Sequence, residues 1–237
     1  DALPILPQNT AQKAEALLTN GNPCTFYFTK DIADEVMQAD GIAQATEQTY
    51  ISSLAAACCA EKLQIIGYDP DTDFVIEPWV ASQFEGPLED GQMIAGANVN
   101  VSTDGAIELY GRSWPVVAQL ANTGTSLDNS VFINQNTVPD MVAASAKVSK
   151  QVMPAEYAGE AVSTVMIKTQ RGYEAQTVAE NIKRLDSRFA DLGYVYPGGI
   201  TANTRTSLTA LVTYLKIFVA VIWVMGVIVL LAVFASS

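Results

Sequence analysis

Three aspartates at alternate positions, Asp69-x-Asp71-x-Asp73, form the arrangement in this chain that comes nearest to a ligand set. Alternate carboxylates can converge on one hard cation such as calcium. A calcium loop counted from Asp69 requires glycine at its sixth position and glutamate at its twelfth, and Phe74 and Val80 stand there instead. The run therefore reads as an acidic Asp-Pro turn between two strands. The thiols are the other reactive groups, three in all: Cys24, Cys58 and Cys59. In a strand the adjacent pair Cys58-Cys59 would point to opposite faces, one to the core and one to solvent or a partner. A bond between these neighbours would be strained, whereas either could pair with Cys24 if their strands lie side by side. Buried thiols, such a disulfide, and a soft-metal site remain the three alternatives.

Absences narrow the chemistry further. The chain has no histidine, so Ser-His-Asp and Cys-His catalysis, histidine-ligated zinc or haem, and imidazole pH sensing are excluded within it. Gly172, Gly198 and Gly199 read as turn glycines, because no Gly-x-x-x-x-Gly-Lys follows a strand. ATP hydrolysis of the P-loop kind must then belong to another polypeptide or another segment. No cofactor motif is present, and no local spacing selects a Ser/Lys or Asp/Glu pair for catalysis. Thirteen basic residues against 25 acidic ones give a net charge of −12. Such a surface repels phosphate backbones, which argues against a nucleic-acid partner.

The elements that would carry these groups are dominated by one stretch. Residues 217–235 contain no charge, amide or proline, and every charged side chain precedes Ile217. At ~1.5 Å per residue this helix would cover about 28 Å, near the ~30 Å of a bilayer's hydrocarbon core. A transmembrane helix is expected here, with Lys216 and Tyr214 at the lipid headgroups. Trp223 lies deeper, against lipid or a partner helix. Upstream, residues 1–10 read as an extended entry and 11–18 as a short helix. Residues 24–28 are β-prone, Ile32, Val36 and Ala39 have helical spacing, and Gly41 precedes a strand over 42–54. Strands follow at 63–68 and 74–77, with a short helix starting near Asp90. Further strands are expected at 106–110, 114–120 and 130–133. A helix over 138–152 is stopped by Pro154, and a strand at 163–168 follows. Over 174–190 Val178, Ile182, Leu185 and Phe189 share one helical face. A strand at 193–196, a Pro197-Gly198-Gly199 turn and a helix over 203–214 lead into the apolar run. Two strand–helix–strand units thus flank a β-rich middle.

The order of motifs in that middle is informative. Ile65-Ile66-Gly67-Tyr68-Asp69 precedes Gly91-Gln92-Met93-Ile94-Ala95-Gly96, with Gln92 where an acid is expected. Then come Ile107-Glu108-Leu109-Tyr110-Gly111-Arg112-Ser113-Trp114-Pro115-Val116-Val117-Ala118 and Leu127-Asp128-Asn129-Ser130-Val131-Phe132-Ile133. This succession, with Ile167-Lys168-Thr169-Gln170-Arg171-Gly172-Tyr173 and the terminal apolar run, resembles the extracytoplasmic domain of FtsX-like, MacB-type ABC transporter permeases. The resemblance spans about residues 24 to 235.

The resemblance implies an α+β fold: a ferredoxin-like, porter-like subdomain from 1–74 and 135–202, and an inserted β-rich subdomain at 75–134. A stalk helix at 203–216 and a transmembrane helix at 217–235 would follow. Family members typically have four spans, so the chain is expected to be a fragment or processed piece of a longer membrane protein. It would have no catalytic role of its own and would work with a cytoplasmic ABC ATPase subunit, a second permease copy or paralogue, and membrane lipid. The soluble domain would lie on the extracytoplasmic side of the cell membrane. Leu208, Leu211, Leu215 and Lys216 would carry motion along the stalk (mechanotransmission). The competing expectation from another class is a membrane-anchored binding or sensor module without transport.

Overall fold

The computed structural model describes residues 2–7, 23–53, 59, 61–148 and 152–195, together with 215, 216, 218, 219, 222 and 223. The chain divides into two units, Asp1–Tyr196 and Pro197–Ser237. In the first, β1 (Ala2–Leu6), β2 (Phe28–Thr29), α1 (Lys30–Val36), β3 (Ile42–Ser52), β4 (Gln64–Tyr68) and α2 (Glu77–Ala81) come in turn. They are followed by β5 (Met93–Ala95), β6 (Ala106–Leu109), β7 (Arg112–Gln119), β8 (Ser130–Asn134) and α3 (Val138–Lys147). The unit closes with β9 (Ala161–Val162), β10 (Thr164–Thr169), α4 (Ala175–Leu185) and β11 (Gly193–Tyr194). Nine strands make one mixed sheet in the order β11-β1-β10-β3-β4-β8-β5-β7-β6, and β2 pairs with β9 beside it. This is an α+β fold around a mixed sheet.

The centre of the sheet is buried on both faces. Every residue of β4 is buried, as are the first four of β8, and the two strands run parallel with Gln64 opposite Ser130. Ile65, Val131 and Ile133 point into a core shared with α3 and Trp114. Ile66, Tyr68 and Phe132 point the other way, against Ile76, Val80 and Leu88. A third core packs α1 and α4 on β1 and β10 through Ile5, Val36, Val165, Ile167, Val178 and Ile182.

The motif residues turn out to be architectural. Tyr110 and Gly111 have φ of +55° and +69° between the paired residues Leu109 and Arg112, which makes a two-residue hairpin of the type that matches strand twist. Trp114 is fully buried and donates from Nε1 to the Leu109 carbonyl at 3.1 Å, while the Arg112 guanidinium lies 4.2 Å over its ring. A Cβ on Gly96 would collide with the backbone carbonyls of Leu127 and Asp128. Asp128, 1 % exposed, accepts from the Thr123 and Gly124 amides at 2.9 and 2.7 Å and from the Thr123 hydroxyl at 2.8 Å. Burial pushes its carboxyl up, but the hydrogen bonds from Thr123, Gly124 and Thr125 outweigh that and hold it below the usual carboxylate value.

Several sequence expectations need correction. Residues 74–77 are not a strand, because the Asp73 carboxylate accepts from the amides of Val75, Ile76 and Glu77 and bends the chain there, just ahead of α2. Near Asp90 the chain turns into β5 instead of starting a helix. The extended entry is β1, a full sheet member between β10 and β11. Helix α3 ends at Lys147, where the Ser145 hydroxyl donates to the Val142 carbonyl and accepts from the Val152 amide. Helix α4 ends at Leu185: Asp186 caps a separate 3₁₀ turn over Ser187–Asp191, which returns Phe189 to the core and leaves Leu185 49 % exposed. The helix expected at 11–18 and the 197–199 turn lie outside the described residues.

In the second unit, Leu215, Lys216, Phe218, Val219, Ile222 and Trp223 are helical. Leu215, Phe218, Val219, Ile222 and Trp223 fall at i, i+3, i+4, i+7 and i+8, and all are exposed, Trp223 by 73 %. Among the described residues no helix is long and apolar enough to cross a membrane. Most of the run at 217–235 lies outside them.

Because its folded-state carboxyl is held low, Asp128 stabilises the domain above the ordinary aspartate pKa of about 3.9, and that stability is lost as pH falls through the lowered value. Asp128→Ala should cost about 1–3 kcal/mol at pH 7, since it removes the acceptor of the partly buried Thr123 and Gly124 amides. The gap to the parent should close in denaturant melts carried to pH 2–3. An undiminished gap at acid pH would contradict this role.

Candidate polar cleft beside strand β3

Strand β3 runs across the join between two apolar cores, and this sets up the site. Of its inward residues, Ala45 packs against the core under α1 and Ile51 belongs to the core under α3. Glu47 and Thr49 stand between them in the same alternation. Two polar cavities share this wall, one of about 610 Å³ and one of about 200 Å³, and Lys30, Glu47, Gln135 and Asn136 line both. The larger is completed by Asp34 on α1 and by the Asp69–Thr72 turn. The smaller runs beneath residues 158–162.

Lys30 Nζ lies 3.7 Å from Glu47 Oε2. The opposite oxygen, Glu47 Oε1, is buried and meets no donor among the described residues. Burial pushes the Glu47 carboxyl above its ordinary value; the Lys30 charge pulls it back, and Asp34 and Asp69 push it further up. Gln135 is placed by Gly67, where a Cβ would come within 2.9 Å of Gln135 Oε1 and closer still to Val138. The Thr49 hydroxyl donates to the Ala161 carbonyl at 2.7 Å, so it must accept from the Gln135 amide nitrogen, also at 2.7 Å. That orientation leaves Gln135 Oε1 buried without a donor among the described residues.

The acidic run seen in the sequence borders this cleft, but two of its carboxylates serve the backbone. Asp69 accepts from the Asp71 amide and the Thr72 hydroxyl, both at 3.0 Å. Asp73 is buried and accepts from Gln48 Nε2 at 2.7 Å and from the Val75, Ile76 and Glu77 amides just ahead of α2. Among the described residues no three acids, cysteines or histidines gather as a metal-ligand group. Cys24 and Cys59 pack in different clusters. Cys24 packs with Leu6, Phe26 and Tyr50, while Cys59 lies past the end of β3 against the α3 core, its sulfur accepting from the Tyr110 amide at 3.4 Å. Cys58, Leu208 and Leu211 lie outside the described residues, and Leu215 and Lys216 are exposed in the second unit.

Sequence reasoning singled out neither Glu47 nor Gln135. Glu47 did carry a signal, an acid at an inward register position between Ala45 and Ile51. Gln135 carried none, because its place depends on a contact with Gly67 that only the folded chain supplies. Among the described residues the walls of the cleft carry carboxylates, side-chain amides and the Lys30 ammonium.

No model of a known protein family matches the chain, and no curated protein does either. Solved structures do. The periplasmic region of MacB from Actinobacillus actinomycetemcomitans matches with a TM-score of 0.50 and 10 % identity, over 86 % of this chain and 92 % of that one. The chain has the fold of the MacB periplasmic region. The extracellular domain of the noncanonic ABC-type transporter YknZ from Gram-positive bacteria is also similar, at a TM-score of 0.41 and 9 % identity, over 83 % of this chain and 100 % of that domain.

Glu47, with its raised pKa, destabilises the fold when ionised, so its contribution is fully favourable below the ordinary glutamate range and is lost as pH rises through the raised value. Glu47→Gln should therefore melt higher than the parent at pH 8, by about 2 °C, with the difference vanishing near pH 4. A variant less stable than the parent at pH 8 would contradict the assignment.

Proposed function

We propose that this chain is the extracytoplasmic domain and following membrane helix of an FtsX-like, MacB-type ABC transporter permease, coupled to a separate ATPase for export or mechanotransmission. The single observation that carries the reading is the MacB-like fold over most of the chain. The exposed apolar stripe from Leu215 to Trp223, at the head of an uncharged run, fits a helix that meets lipid. The domain would lie outside the cell membrane and work with a cytoplasmic ATPase and a second permease copy or paralogue.

On this reading 1–74 and 135–202 form the porter-like part and 75–134 an insertion that prolongs its sheet. The segment 203–216 is the stalk and 217–235 the membrane helix. A helix keeps its backbone hydrogen bonds internal in lipid and moves as a unit, so nucleotide-driven closure of the ATPase would reach the domain through Leu208, Leu211, Leu215 and Lys216. The chain supplies no chemistry to the cycle. Its work is mechanical.

Insertion of glycines at Thr206–Thr209 in the assembled permease–ATPase complex tests the coupling. Vanadate trapping should alter hydrogen exchange in the external domain of the parent. With the insertion that response should disappear while ATPase activity and domain folding persist. A response that survives the insertion would count against coupling through this helix.

A further inference from the structure

The last stretch of the first unit, residues 186–195, is built as a separate piece. Asp186 leaves α4 in extended backbone, and the Ser187–Asp191 turn and β11 follow. The piece is bonded to itself. Asp186 Oδ1 accepts from the Arg188 amide at 2.8 Å, and the Asp186 carbonyl accepts from the Phe189 amide at 3.0 Å. The Phe189 carbonyl in turn accepts from the Leu192 amide at 3.2 Å and from the Tyr194 hydroxyl at 2.8 Å.

Its ties to the rest of the domain are of three kinds among the described residues. Strand β11 is two residues long, stands at the edge of the sheet and pairs with β1, and the Val195 amide donates to the Pro4 carbonyl at 3.0 Å. Phe189 is fully buried in the core under α1 and α4, and Lys183 on α4 lies 5.0 Å over the Tyr194 ring. The third tie is ionic. Arg188 Nη2 donates to both Glu35 oxygens on α1, at 3.0 and 2.9 Å, and Nη1 lies 3.8 Å from Asp31 Oδ2.

Two features make this ionic tie a catch. Arg188 Nε donates to Asp186 Oδ2 at 3.0 Å, inside the piece, which fixes the guanidinium plane so that its other nitrogens meet α1. Arg188 also keeps like charges together: without it, Asp186 on the piece would face Asp31 and Glu35 on α1. The pair is open to water, at 49 % exposure for Arg188 and 44 % for Glu35, so salt can weaken it. Val195 is the last described residue before the second unit, which begins at Pro197. A pull passed along the chain from that unit enters the domain through this piece.

We propose that residues 186–195 are a releasable strap with the Arg188–Glu35 pair as its catch. On opening, Phe189 leaves the core and β11 unpairs from β1 while the rest of the sheet stays folded. The strap belongs to the domain itself and would serve an anchored sensor as well as a permease.

Hydrogen exchange of the full chain in neutral detergent, read by mass spectrometry, tests this. Peptides covering 187–195 should exchange about fivefold faster in ~500 mM than in ~20 mM salt. Arg188→Gln should raise their low-salt exchange by about fivefold and abolish the salt effect. Glu35→Gln should raise it less, because it also removes one of the facing carboxylates. Arg112→Gln, far along the chain over Trp114, should leave the strap unchanged. Peptides from β3 and β10 should keep the parent's protection in every variant, which marks the opening as local. Unchanged strap exchange in Arg188→Gln, or no salt effect in the parent, overturns the proposal. So does a matching rise in β3 and β10, an equal response to Arg112→Gln, or a larger effect from Glu35→Gln than from Arg188→Gln.

Discussion

Strands β4 and β8 lie parallel, and that pairing is the constraint on which the remaining structure hangs. Parallel neighbours cannot be joined by a tight turn, so the chain between Tyr68 and Ser130 must leave the sheet and return. It uses the excursion to build α2, β5, β6 and β7, which extend the same sheet outward from β8. Because both central strands are buried on both faces, successive residues serve opposite cores: Ile65 and Val131 one, Ile66 and Phe132 the other. Glycine permits two of the close approaches around this seam. Gly67 lets Val138 and Gln135 lie against β4, and Gly96 lets the Leu127–Asp128 backbone lie against the end of β5.

The same seam explains the polar cleft. Two apolar cores meet beneath β3 without merging, and Glu47 and Thr49 occupy the gap between Ala45 and Ile51. Thr49 ties the gap to β9 through Ala161, and Gln135 leans over Gly67 to reach it. The cleft is thus a consequence of how the halves of the sheet are joined.

Legibility followed the range of the forces involved. Local signals sufficed for several elements: the β-prone run at 63–68, the strands at 106–110 and 114–120 and the apolar spacing of α1 and α4 needed only near neighbours. Where a single polar side chain redirected the backbone, periodicity misled. Asp73 bent an apparent strand at 74–77 into the turn that leads to α2, and Asp186 ended α4 a turn early, sending Leu185 outward. The motif that suggested the family, from Gly67 through Trp114 to Asp128, consists of turn, packing and capping residues. It announces an architecture, which is why it could suggest a fold while saying nothing of Glu47 or Gln135. Those two are defined by contacts across the sheet, and the acidic Asp69-x-Asp71-x-Asp73 run drew attention toward its own turn instead.

The account as a whole requires the MacB-like domain to stand outside the cell, held by the apolar run that follows it. Ser113, exposed on β7, offers a direct probe. With Ser113→Cys in intact spheroplasts, a membrane-impermeant maleimide should label the membrane-bound chain above the parent's signal, with no further gain on lysis. Labelling that appears only after lysis, or a chain released from the membrane by alkaline carbonate, would contradict the account.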